Sequence, residues 1–217
     1  RPETRRWYQG ETVSLGIGQG YNNFTMLQLA LAQATLVNGG IRYRPHVGKA
    51  VRNAVTGEIT PIEQPPGHNL GFAAKNIEVV LRGLVAVNEA GTGRRVFAGA
   101  PYSSGGKTGT AQDVSLGQNV KSNATALEEH KRDHSLFAAF APADNPRIAV
   151  ALIVENAGFG AASAAPITRR VFDYWLLGLY PSEEDMAATA KGLTSAPIGT
   201  PRQAHEVELA TVSEPRP

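Results

Sequence analysis

Two apolar runs, Leu136–Ala141 and Arg147–Val154, are separated only by Pro142-Ala143-Asp144-Asn145-Pro146. A connection of that chemistry turns a chain back on itself, so the two runs are expected to pair as antiparallel strands. Pro166 then opens a helix where a missing N–H costs nothing, and Ile167, Val171, Tyr174, Trp175 and Gly178 follow at helical spacing until Tyr180-Pro181. That helix should lie across the sheet, with Tyr174 and Trp175 in its core. Upstream, Leu27, Ala30, Leu31, Ala34 and Val37 form one helical face behind a Thr25/Gln28 capping box, with a stop at Asn38-Gly39-Gly40. Ile41–Ile62 reads as a short hairpin. Ile77, Val80, Leu81, Leu84 and Val87 mark a second helix, closed by Gly91-Thr92-Gly93. The pattern predicts a mixed α/β chain of the α+β kind, an antiparallel sheet flanked by helices.

Composition narrows the class. With 42% hydrophobic and 18% charged residues the 217-residue chain suits one folded core, and 23 glycines with 14 prolines speak for turns over a helical bundle. A net charge of +2, without clustered Lys/Arg and interleaved aromatics, sets nucleic acid aside as a partner. The absence of cysteine removes disulfide, zinc-thiolate and thiol-nucleophile chemistry together. No apolar run reaches the roughly 18 residues that a membrane-spanning helix needs. The expected organisation is a body over residues 1–180 and a Pro/Ala/Glu-rich tail over 181–217, read as disordered because little apolar surface offsets its ordering entropy. The opening Arg-Pro-Glu-Thr-Arg-Arg, which lacks an initiator methionine, reads as the start of a piece of a longer protein.

The informative stretch is Tyr102-Ser103-Ser104-Gly105-Gly106-Lys107-Thr108-Gly109-Thr110-Ala111-Gln112. Lys107, Gly109 and Ala111 alternate with Thr108, Thr110 and Gln112, which fits a strand. Glycine weakens a strand interior unless a ligand or another backbone must come close. An edge strand bare at Gly109 could accept an extended peptide beside it, with two hydroxyls and one cation on offer. Such a groove suits a peptide ending in a carboxylate.

This segment resembles the Lys-Thr-Gly signature of the serine acyl-transferases that react with penicillin, the penicillin-binding proteins and serine β-lactamases. Trp7–Thr12, Gly16–Tyr21 and Thr25–Ala30 resemble the stretch preceding that signature in class B penicillin-binding proteins, Gly91-Thr92-Gly93 closes a helix as it does there, and Arg132-Asp133-His134 with Leu136–Pro142 is similar to the elongation-type members. The likeness runs from about Arg6 to Leu179. It implies the C-terminal part of a penicillin-binding, β-lactamase-like transpeptidase fold, acting on peptidoglycan stem peptides ending in D-Ala-D-Ala and acylated by β-lactams. It further implies Lys107 positioning the substrate carboxylate and joining the proton relay, Thr108 and Thr110 hydrogen-bonding that carboxylate, and the Thr110 N–H as one of two oxyanion donors. Gly106, Gly109, Ala111 and Gln112 would complete the substrate-binding wall. A glycan polymerase partner, the periplasmic face of the bacterial inner membrane, and no cofactor are implied as well.

One departure matters. The family's serine nucleophile lies in a Ser-x-x-Lys helix start and its second signature is Ser-x-Asn, and both belong before Trp7. Ser104-Gly105-Gly106-Lys107 fits the first only on paper, since two glycines and a β-like run do not hold serine and lysine on one helical turn. Ser122-Asn123 lacks the second spacing. The chain alone is therefore expected to be inactive, with the missing groups supplied by an N-terminal remainder. The alternative is a non-catalytic β-lactam sensor or scaffold on the same fold.

Rival motifs fail on spacing or context. Gly106-Lys107-Thr108 copies the end of a P-loop, but Pro101 stands where its first glycine belongs. Gly16–Tyr21 copies a dinucleotide fingerprint, but Tyr21 replaces its last glycine, so a tight turn feeding Thr25 is expected. His130 and His134, with Glu129 or Asp133, could hold a metal, yet the surrounding charges read as a solvated loop, and no metal site is assigned.

Overall fold

The computed structural model describes residues 7–111, 132–193 and 196–207. Its centre is a three-stranded antiparallel sheet of β5 (Gly105–Ala111), β6 (His134–Ala141) and β7 (Ile148–Val154), in that order. The turn after Ala141 returns the chain as its prolines predict, and Leu136 pairs with Ile153. On the other side of β6, Lys107 stands opposite Ala138, Thr108 opposite Phe137, Gly109 opposite Leu136 and Thr110 opposite Ser135. This leaves β5 as an edge strand.

Alternation along β6 assigns its two faces. Phe137, Ala139 and Ala141 turn to one side, where Val96 and Phe97 of α4 (Arg94–Phe97) and Ala164, Ala165 and Phe172 of α5 (Ala164–Leu177) complete a buried cluster. Phe97 stacks on Phe137 with ring centres 5.8 Å apart and meets Phe172 at 6.2 Å. Each fully buried phenyl contributes roughly 2–3 kcal/mol, which makes this face the anchor of the sheet. Phe140 points the other way, and Gly105 opposite it leaves room for the ring, since a Cβ there would lie 2.6 Å from it. On that second face α2 (Met26–Val37) crosses β6 and β7, while α3 (Ala74–Glu89) runs beside β5. α2 starts as its sequence requires, with Thr25 accepting from the Gln28 N–H and the Gln28 side chain accepting from the Thr25 N–H.

Several expectations need correction. The hairpin in Ile41–Ile62 is narrower: β2 (Ala50–Arg52) pairs with β3 (Ile59–Pro61), whereas β1 (Ile41–Arg42) pairs with β4 (His68–Asn69), beyond the expected span. A short α1 (Gln9–Gly16), which the sequence pattern did not signal, precedes the turn at Gly18 and Gly20, both of positive φ. α5 stops at Gly178, whose φ of 70° makes it a left-handed cap, rather than at Tyr180-Pro181. Tyr174 and Trp175 are not core; they are exposed because the buried stripe of α5 runs through Ala165, Thr168, Arg169 and Phe172.

The stretch 181–217, expected to be a disordered tail, carries regular elements where it is described. β8 (Leu179–Tyr180) pairs with β9 (Arg202–Gln203), α6 (Glu183–Ala190) lies between them in sequence, and a 3-10 turn follows at Ala204–Glu206. Tyr174 of α5 meets Tyr180 of β8 edge to face with ring centres 5.0 Å apart, and polar contacts add to this. Asp185, 2% exposed, takes two hydrogen bonds from the Arg170 guanidinium of α5, and the Ser182 hydroxyl caps α6 by accepting from the Asp185 N–H. Residues 208–217 lie outside the described residues.

Candidate active site

The backbone of β5 declares which way it faces. The Thr108 carbonyl accepts from Lys107 Nζ at 2.6 Å, and the Thr110 carbonyl accepts from Gln19 Nε2 at 3.0 Å. Both acceptors therefore lie on the free edge. In an antiparallel strand the N–H and C=O of one residue point to the same side, so the Thr108 and Thr110 amides also look outward, away from β6. Gly109, between them, directs its own polar groups inward to Leu136.

That edge borders a cleft of about 630 Å3. Lys107–Ala111 form one wall, the Gly16–Gln19 turn and Met26 and Leu29 of α2 form another, and Leu136, Ala138 and Ala151 of the sheet lie along it. Among the described residues lining the cleft, Lys107 is the one charged side chain. An apolar cleft with one cation and two outward amides on a single wall can hold an extended ligand by its main chain and fix an anionic end.

Thr108 is held by a neighbour. Its Oγ1 lies 3.1 Å from Oγ1 of Thr92, the residue between Gly91 and Gly93 after α3. Gly93 is tucked against the Asn88 side chain, and Asn88 Nδ2 donates to the buried Ser104 hydroxyl at 2.9 Å, so the end of α3 and the start of β5 are tied together. Behind this joint, Tyr102 donates its phenol proton to Asp173 Oδ1 at 2.7 Å, and Arg169 Nε grips both carboxylate oxygens at 2.9 and 3.0 Å. Burial, and then the hydrogen bond to Asp173, push the Tyr102 phenol well above its ordinary range.

The residues expected to act together separate into three groups. Lys107, Thr108, Gly109, Thr110 and Ala111 all line the cleft. Gly106 is not among the residues lining it: it is buried, and a Cβ there would come within 2.6 Å of the Phe137 ring. Gln112 lies outside the described residues, as do Ser122, Asn123, Glu129 and His130. Ser104 is buried just before β5 and shares no helical turn with Lys107. His134 Nδ1 accepts from the Asn156 N–H at 3.0 Å, and Asp144 accepts from the Ser103 hydroxyl at 3.0 Å. The described residues hold no group of three potential metal ligands. Gln19 and Thr92 escaped the sequence reading. Each is a polar side chain among glycines in a segment otherwise explained as a turn.

Comparisons with known proteins agree with this geometry. The family profile described as the penicillin binding protein transpeptidase domain matches residues 2–173. The peptidoglycan D,D-transpeptidase MrdA of Haemophilus influenzae is 45% identical over 185 residues, covering 83% of this chain and 28% of that protein. MrdA of Escherichia coli K12 is 40% identical over 175 residues, 79% of this chain and 27% of that protein. The crystal structure of Pseudomonas aeruginosa PBP2 in complex with WCK 5153 superposes with a TM-score of 0.60 at 38% identity, covering 82% of this chain and 36% of that one. The chain thus spans under a third of the length of these curated relatives. Its strand order, its Lys-Thr-Gly edge and its match over residues 2–173 place the chain in the penicillin-binding protein transpeptidase family, among the PBP2 (MrdA) type.

Proposed function

We propose that this chain forms the Lys-Thr-Gly side of the active site of a peptidoglycan D,D-transpeptidase. A serine from the N-terminal remainder of the protein attacks the penultimate D-alanine carbonyl of a stem peptide. The carbon–nitrogen bond to the terminal D-alanine breaks, and that D-alanine leaves with the proton on its amine. An amine of a second stem peptide then attacks the ester, forms the cross-link and returns the serine. β-Lactams acylate the same serine. Lys107 and the two threonine hydroxyls fix the substrate carboxylate, and the Thr110 N–H stabilises the oxyanion. A donor already aimed at charge that develops only in the tetrahedral state lowers the barrier by about 3 kcal/mol.

The outward amide of Thr110, on the same wall of the cleft as Lys107, is the observation that carries this reading. The 45% identity to a D,D-transpeptidase supports it. The same likeness motivates a glycan polymerase as working partner and the periplasmic face of the inner membrane as location, because the substrate is there. Fluorescent penicillin tests the proposal. The full-length protein should label covalently, the isolated chain should not, and Lys107→Ala should slow labelling of the full-length protein by at least about 100-fold. Undiminished labelling of that variant would remove Lys107 from the mechanism.

A further inference from the structure

The catalytic strand has a support on the side of the sheet away from the cleft. The segment joining β7 to α5 passes beneath the start of β6 and is tied there by four hydrogen bonds. Ser135, fully buried and opposite Thr110, donates its hydroxyl to the Phe159 carbonyl at 3.1 Å and accepts from the Ala164 N–H at 3.0 Å. The Gly158 N–H donates to the Asp133 carbonyl at 2.8 Å, and the Asn156 N–H to His134 Nδ1 at 3.0 Å. Gly160 is thereby pressed onto the sheet. A Cβ on it would meet the Leu136 carbonyl oxygen and would lie 2.7 Å from the carbonyl oxygen and 3.1 Å from the amide nitrogen of Gly109. These are backbone atoms, so no side-chain rotation relieves the overlap.

We propose that Gly160 is a positioning residue of the active site: its bare Cα lets the 156–163 segment rest on the Gly109–Leu136 pair, and that contact sets the position of the neighbouring Thr110 amide. The inference rests on the transpeptidase reading above. Physical reasoning favours strand movement over segment movement. The segment is held at both ends, by Ser135 and by the first turn of α5, where the Ala165 N–H donates to the Gly160 carbonyl at 2.9 Å. On its far side β5 meets an open cleft, which is the softer direction. Added bulk at Gly160 therefore displaces Gly109 towards the cleft and carries the Thr110 N–H out of line. Misplacement of a catalytic group by about 1 Å costs on the order of 100-fold in rate.

The test is the rate of acylation by fluorescent penicillin in the full-length protein, measured per folded molecule beside thermal stability. Gly160→Ala is compared with Gly67→Ala, a glycine crowded by side chains, whose Cβ would lie 2.5 Å from Ile41 Cγ2 and 2.9 Å from the Tyr43 ring, away from the cleft. Both variants should lose stability. Only Gly160→Ala should lose acylation rate, by at least about tenfold, with full labelling reached at long times. A folded Gly160→Ala that acylates at the wild-type rate, or a Gly67→Ala that slows equally, overturns the proposal. If Gly160→Ala does not accumulate, Ser135→Ala carries the same comparison: it frees the segment without adding bulk, and an unchanged rate per folded molecule counts against the support. Failure of the unsubstituted protein to label would instead refute the transpeptidase reading.

Discussion

Gln19 and Thr110 are joined by a hydrogen bond of 3.0 Å across 91 residues of sequence. It ties a glycine-rich turn to the free edge of β5, and it identifies the direction in which that edge faces. A neutral hydrogen bond of this kind contributes about 1 kcal/mol net. Gln19→Ala in the full-length protein should slow acylation by fluorescent penicillin by about fivefold, with little change in melting temperature. A stability loss with an unchanged acylation rate would make Gln19 a structural tie only.

Thr92 holds the Thr108 hydroxyl from outside the strand, at 3.1 Å. Thr92→Val keeps the shape and removes the hydroxyl, leaving Thr108 free to rotate. The expected result is weaker saturation by β-lactam, with the apparent binding constant raised by about threefold and the limiting acylation rate less affected. Stopped-flow acylation over a range of β-lactam concentrations separates the two quantities.

Tyr102 supplies a pH test of stability. Its phenol is pushed above the ordinary value of 10.0 in the folded protein by burial and by Asp173. Above that ordinary value the unfolded chain releases this proton and the folded chain keeps it. The contribution is thus fully present below about pH 10 and declines as pH rises beyond it. Tyr102→Phe should be less stable near neutrality and should show a shallower loss of stability on the alkaline side, as read from urea midpoints at a series of pH values.

Asp185 and Arg170 are 2% and 14% exposed in their side chains, so their pairing is largely shielded from water. Removing one member of a buried pair costs about 3–5 kcal/mol because the other charge stays desolvated. Asp185→Ala should lower the urea midpoint accordingly and expose residues 182–207 to protease. Arg82 and Glu78, paired at 3.9 Å on the surface, should change stability by under about 1 kcal/mol when either is replaced.

Much of this architecture was legible from local chemistry. The Thr25/Gln28 box, the Pro142–Pro146 turn and the period change after α3 each depend on residues close in sequence, and all three appear where they were expected. The strand Gly105–Ala111 was legible too, because its residues alternate. What escaped is what depends on distance along the chain. The pairing of β1 with β4 skips an intervening hairpin, and the α6 anchor joins Arg170 to Asp185 through charge that composition reports as mere solubility. The close packing of Gly106 on the Phe137 ring escaped as well, because an isolated sequence does not say what a bare Cα faces.

The edge that Thr108 and Thr110 present has a consequence for discrimination. Amides spaced two residues apart address a visitor's main chain, which every peptide shares, so they do little to tell one side chain from another. Under the proposed function, selectivity then has to come from the visitor's terminus and stereochemistry, read at the Lys107 end, and a rigid mimic of that terminus can compete without reproducing the rest of the peptide.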